Sequence, residues 1–72
     1  MAKATMIKIL RKKSYEISLN GGLNSLNIEV TKEKMNKWFE LKNLIGCVSY
    51  LQKMKKDELE KKYDEFMALT TV

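Results

Sequence analysis

The sequence contains no histidine, no proline, one cysteine and three glycines. Without histidine the chain lacks the usual proton shuttle at neutral pH and the commonest nitrogen ligand for a metal. One cysteine can neither close an internal disulfide nor complete a zinc site alone. That residue, Cys47, lies between Ile45, Gly46 and Val48, which reads as a small buried side chain in a reducing compartment. Gly21 and Gly22 are adjacent, but no Gly-Lys-Ser/Thr follows them, so the phosphate-cradling loop is missing. Ser14, Ser18, Ser25 and Ser49 have no base nearby in the chain. The carboxylates Asp57, Glu58, Glu60, Asp64 and Glu65 are interleaved with Lys61 and Lys62 and lack calcium-loop spacing. These absences argue against an enzyme, and no catalytic residue, metal or cofactor is expected.

Long hydrophobic runs are also missing. No stretch approaches the roughly 18 apolar residues of a membrane span. The apolar N-terminus is followed by Arg11, Lys12 and Lys13, whereas a signal peptide places its charges first. A cytoplasmic protein is therefore expected. At 72 residues, 44% of them hydrophobic, the chain suits a single folded domain over 1–72. A domain this short buries only about 60% of the surface its unfolded chain exposes, so its core is thin.

Along the first half the dominant pattern has a period of two. Thr5, Ile7, Ile9, Tyr15, Ile17 and Leu19 share one parity, with Met6 and Leu10 as exceptions. Asn20-Gly21-Gly22 reads as a hairpin turn, because these residues accept positive φ cheaply. Leu26, Ile28 and Val30 then alternate with Ser25, Asn27 and Glu29. An even-length loop keeps both apolar sets on one face, which predicts a small antiparallel sheet of two or three strands over about 4–30.

From Thr31 the period becomes helical. Thr31 can cap a helix over 32–45 bearing Met35, Trp38, Leu41 and Ile45, and the apolar stripe shifts beyond Gly46. Ser49 with Gln52 and Asp57 with Glu60 form capping-box patterns, which predict further helices over 49–55 and 57–69. Whether 32–55 is one helix or two is left open by the pattern, with a break the simpler solution. The expected architecture is α+β: a sheet covered on one face by two or three helices.

Charge is the positive clue. Residues 1–31 carry five basic and two acidic groups, 32–56 carry seven and two, and 57–72 carry two and five. The segments are thus +3, +5 and −3, a basic body closed by an acidic helix. Arg11, Lys12 and Lys13 group at an expected bend. Lys53, Lys55 and Lys56 group at the expected end of the middle helix, where cations favour its dipole. Phe39 lies about 100° from Trp38 on a helical wheel, which makes it a candidate exposed contact, with Lys42 beside it.

In pattern, the stretch from Leu26 to Met54 resembles a ribbon-helix-helix DNA-binding protein: an alternating strand, Thr31, a helix to Gly46 and a Ser49-capped helix. That resemblance implies paired strands from two chains reading the major groove through Ser25, Asn27 and Glu29. Glu29 suits a phosphate-lined groove badly, and residues 1–22 fall outside the pattern. It is a minor reading.

The sequence therefore points to a small regulatory protein that works by binding. A protein partner ranks ahead of nucleic acid, because an acidic last helix hinders wrapping of phosphates and offers a second surface for steering a protein. An inhibitor or adaptor fits, including a phage-encoded inhibitor of a host enzyme or defence nuclease, since a lysine- and asparagine-rich chain without proline suits an AT-rich genome. The nucleic-acid alternative would contact phosphates through lysines, with little sequence preference and strong salt dependence. The expected contact residues are Arg11, Lys12, Lys13, Phe39, Lys42, Lys53, Lys55 and Lys56. A homodimer is a further expectation, from the thin core and the open edges of the sheet, and no membrane contact is expected.

Overall fold

Lys3 to Leu19 form a single α-helix, α1, where paired strands were expected. A computed structural model describes residues 1–71, which contain four α-helices and no strand. The buried side chains of α1 are Met6, Ile7, Leu10, Ser14 and Ile17, spaced at helical intervals. Met6 and Leu10, the two exceptions to the alternating pattern, are each only 1% exposed. Tyr15 and Leu19, assigned by that pattern to the buried face, are 66% and 67% exposed. The α+β expectation fails here, because a short apolar run matches both periods and no proline or glycine interrupts 3–19 to break a helix. Arg11, Lys12 and Lys13 accordingly lie within a helix and not at a bend.

Asn20-Gly21-Gly22 ends α1 instead of turning a hairpin. Gly21 has φ 109° and Gly22 φ 81°, so the positive φ signal was physically real. Helix C-termini use the same left-handed conformation as hairpin turns. The Gly21 N–H donates to the Ser18 carbonyl at 3.3 Å, and the Asn20 side chain donates to the Glu16 carbonyl at 3.0 Å. One turn of 3-10 helix, Gly22–Ser25, then inserts Leu23 into the core at 1% exposure.

Residues 26–30 keep their alternation without becoming a strand. Leu26, Ile28 and Val30 are half-buried against the core, while Asn27 and Glu29 are exposed. A tight turn, with the Ile28 N–H donating to the Leu26 carbonyl at 2.8 Å, interrupts the extended run. No strand pairs with it among the described residues. This removes the ribbon expected of a ribbon-helix-helix protein, and with it the open sheet edges that favoured a dimer.

The second half is helical, with local differences. α2 spans Lys32–Ile45, capped by the Thr31 hydroxyl, which accepts from the Lys34 N–H at 3.2 Å. The chain breaks at Gly46, and α3 covers Val48–Lys53. α4 runs Lys56–Thr70. Neither expected capping box forms: Cys47 occupies the N-cap of α3 and Lys55 that of α4, with no side-chain bond at either. Cys47 is exposed and not buried. It sits in the connection between two helices, where the apolar neighbours Ile45 and Val48 turn inward without it.

All four α-helices contribute to one core. α1 packs on α2, α3, α4 and the 3-10 turn, and α2 packs on α3 and α4. Its centre combines Met6, Leu10, Leu23, Leu41, Leu51, Leu59 and Phe66, all fully buried. Trp38 of α2 stacks on Phe66 of α4, with ring centroids 6.0 Å apart and planes 26° apart. Across the same junction Lys37 reaches Glu65 at 3.3 Å, and Lys62 reaches the same carboxylate oxygen at 3.6 Å.

Candidate binding face along α1

Once α1 is a helix, its polar residues acquire a geometry that an alternating strand would not give them. Positions 4, 8, 11, 15 and 18 recur at helical spacing and form one stripe. Ala4, Lys8, Arg11, Tyr15 and Ser18 occupy it. The stripe borders α3 at one end and α2 at the other, and hollows form along both seams.

At the N-terminal end of α1 a cleft of about 540 Å³ lies between Lys3, Ala4, Ile7, Lys8 and Arg11 on one side and Val48 and Gln52 on the other. The Lys3 ammonium closes its end by donating to the Gln52 carbonyl at 2.8 Å. The next hollow, about 310 Å³, shares Arg11 with the first and adds Tyr15, Ser18, Lys42 and Ile45. A third, about 320 Å³, shares Ser18 and Lys42 with the second and is walled by Trp38, Phe39, Met35 and Leu23. Adjacent hollows share lining residues, so the three follow one another as a segmented groove along α1. No acidic residue lines any of them.

The groove gathers part of the expected contact set. Arg11, Lys42 and Phe39 line it, and Phe39 is 54% exposed. Lys12 is exposed on α1 beside it. Lys13 points elsewhere, with its ammonium 3.5 Å from the Met67 sulfur on α4. Residues 11 and 13 are about 200° apart at about 100° per residue, so the basic triplet is split between two faces.

Lys53, Lys55 and Lys56 also part company. Lys53 ends α3, but Lys55 and Lys56 open α4. They occupy the positive end of its dipole, not the negative end of the preceding helix, and gain nothing from it. The acids Asp57 and Glu58 in the same turn supply the favourable charge. None of these three lysines lines the groove.

Lys3, Lys8 and Tyr15 join the site although residue-by-residue charge reading passed over them. A helical wheel of 3–19 would have found them, since Lys8, Arg11 and Tyr15 are separated by three and four positions. Ser18 marks the junction of the second and third hollows. Its hydroxyl oxygen is buried and has no hydrogen-bond partner.

The groove offers ammonium and guanidinium groups, two exposed aromatic rings, and apolar surface at exposed Ala4 and half-buried Val48. Among the described residues no three His, Cys, Asp or Glu side chains come together as a metal site would require. No helix of the described residues is long and apolar enough to cross a membrane.

No family model matches the chain, and no solved structure matches it. Over 54 residues, 75% of its length, it is 41% identical to 3-dehydroquinate synthase of Pelagibacter ubique (strain HTCC1062). The chain spans only 14% of that protein, so the similarity is to one segment of it.

Proposed function

We propose that this chain is a non-catalytic regulatory module, an inhibitor or adaptor, that binds an acidic surface of a protein partner through the groove along α1. The observation that carries this reading is the absence of acidic side chains from a groove lined by Lys3, Lys8, Arg11 and Lys42. The acidic residues 57, 58, 60, 64 and 65 are on α4, which leaves the molecule with an uneven charge distribution. Such asymmetry orients and accelerates encounter with an oppositely charged partner. Tyr15 and Phe39, both more than half exposed, are the kind of aromatic side chain that anchors protein interfaces. The segment shared with the Pelagibacter synthase is 14% of that enzyme and assigns no role to this chain.

Nucleic acid is the second reading. The specific observation in its favour is that exposed Tyr15 and Phe39 alternate with Arg11 and Lys42, an arrangement that also suits stacked bases and phosphates. Against it, Arg11 is the one arginine in the chain. Self-association is left resting on the thin core alone.

Parallel affinity captures with the wild-type chain and an Arg11→Glu/Lys42→Glu variant test the first reading. A protein retained by the former and lost from the latter is the expected result. Titration with duplex and single-stranded oligonucleotides at two salt concentrations tests the second. Salt-sensitive binding of oligonucleotide, with no protein lost on charge reversal, would reverse the order of the two.

A further inference from the structure

We propose that the occupant of the α1 groove is an acidic amphipathic helix of the partner. The inference rests on the protein-binding reading above and adds the conformation and chemistry of the bound segment.

The length is the first argument. α1 has 17 residues, and at about 1.5 Å per residue the groove beside it runs ~25 Å. That matches four to five turns of a partner helix, roughly 16–18 residues by the same rise.

The walls give the second. The groove is walled mainly by α1, α2 and α3, and no strand occurs among the described residues, so it presents no sheet edge to an extended segment. An extended peptide would leave its own backbone groups unpaired against the apolar side chains that the groove floor exposes, Ala4, Val48, Tyr15 and Phe39. A helix satisfies its backbone internally and can press an apolar stripe into the same floor.

Charge supplies the third. Lys8, Arg11 and Lys42 are exposed along the rims and free of ion pairs to any acid lining the groove. Acidic residues flanking the apolar stripe of a bound helix would meet them, while a basic or neutral helix would leave the cations crowded together. Complementarity therefore selects the acidic member of the class.

The test uses the full chain, isotopically labelled, with three probes followed by amide chemical shifts. One probe is a capped peptide of leucine, alanine and glutamate, about 18 residues long, with leucines at i, i+3, i+4 and i+7. The second has the same composition scrambled so that its leucines share no face. The third is an oligothymidylate. We expect the amphipathic peptide to shift amides of Ile7, Arg11, Ser18 and Lys42, and to bind at least about tenfold tighter than the scrambled one, which corresponds to about 1.4 kcal/mol.

A Lys8→Glu/Arg11→Glu variant should lose that binding, and Lys56→Glu/Lys61→Glu on α4, a charge-matched control at two exposed lysines outside the groove, should keep it. Unchanged amide dispersion in both variants shows that the fold is retained. Equal binding of the two peptides overturns the helix proposal and leaves an acidic protein partner standing. Binding of oligothymidylate with neither peptide bound overturns both. No shift with the amphipathic peptide also sinks the helix proposal.

Discussion

The indole of Trp38 lies over the ring of Phe66 at 6.0 Å and 26°, which ties α2 to the final helix. Phe66 is 0% and Trp38 2% exposed, so the pair is sealed within the core. A domain of 72 residues has a stability of roughly 4–11 kcal/mol at ~0.05–0.15 kcal/mol per residue. Phe66→Ala should remove about 3–5 kcal/mol of it by leaving a cavity under Trp38. Phe66→Leu should cost less. Trp38 is the only tryptophan, so urea unfolding followed by its fluorescence reads the change directly; a loss below about 1 kcal/mol for Phe66→Ala would contradict this packing.

Stability should respond oppositely at two glycines. Gly21 has φ 109°, and a side chain there is strained even though space is available. Gly21→Ala should cost about 1–2 kcal/mol. Gly46 has φ −66° and ψ −17°, ordinary helical values, and an added Cβ would meet the nearest backbone oxygen at 3.5 Å. Gly46→Ala is expected to be neutral or to stabilise by up to about 1 kcal/mol through the unfolded chain. Thermal melts of the two variants should therefore move to opposite sides, or at least show a clear loss only at Gly21.

The glycine contrast also shows what the sequence could and could not reveal. Asn20-Gly21-Gly22 announced a left-handed backbone, and Gly21 and Gly22 have it. Whether that conformation reverses a strand or stops a helix depends on what packs around it, which is tertiary information. The same holds for residues 4–19. Ile7 and Ile17 fit a strand face and a helix face alike, and Met6 and Leu10 carried the deciding signal as apparent exceptions. α2 was easier to read because Thr31 caps it and Met35, Trp38, Leu41 and Ile45 repeat over nearly three turns. Of the proposed binding face, Arg11, Phe39 and Lys42 were legible as charge and exposed aromatic. Lys8 and Tyr15 depended on α1 being a helix, so the error in fold class became an omission in the site.

Acid should weaken the α2–α4 junction. Burial raises the Glu65 pKa, but Lys37 and Lys62 beside it outweigh that effect and hold the carboxyl below its ordinary value. Lys37 approaches at 3.3 Å as an ion pair without an aligned hydrogen bond. A carboxyl with a folded pKa below its unfolded one stabilises the fold above the unfolded pKa, and this is lost as pH falls through the folded value. The loss therefore begins near the ordinary glutamate pKa of about 4.3 and continues downward. All three side chains are about one-third exposed, which limits the contribution to about 0.2–1 kcal/mol. Urea unfolding at neutral pH and near pH 3, for wild type and Glu65→Gln, should show a stability gap that closes in acid. A gap independent of pH would contradict the ion-pair account.

Removing the Ser18 hydroxyl should help the fold. That oxygen is buried without a partner, and an unsatisfied buried polar group costs about 1–3 kcal/mol. Alanine also has the higher helix propensity, by about 0.5 kcal/mol. Ser18→Ala is expected to raise the unfolding midpoint without loss of helix content by circular dichroism. A drop in the midpoint would mean that the hydroxyl finds a partner in solution.

Lys55 separates stability from binding at one of the residues first singled out for its charge. It occupies the N-cap of α4 with extended dihedrals, φ −65° and ψ 149°, but makes no side-chain cap bond. An aspartate there can accept from the exposed N–H groups of the first turn and place negative charge at the positive end of the dipole. Lys55→Asp should therefore stabilise by about 0.5–2 kcal/mol. The side chain is exposed and lies outside the groove along α1, so affinity for an acidic partner should fall little, even though the net charge drops by two units. Arg11→Glu makes the same change in net charge but places it on the groove wall. If affinity follows net charge alone, the two variants should weaken binding equally. If the groove is the binding face, Arg11→Glu should lose it while Lys55→Asp yields a more stable and still competent protein.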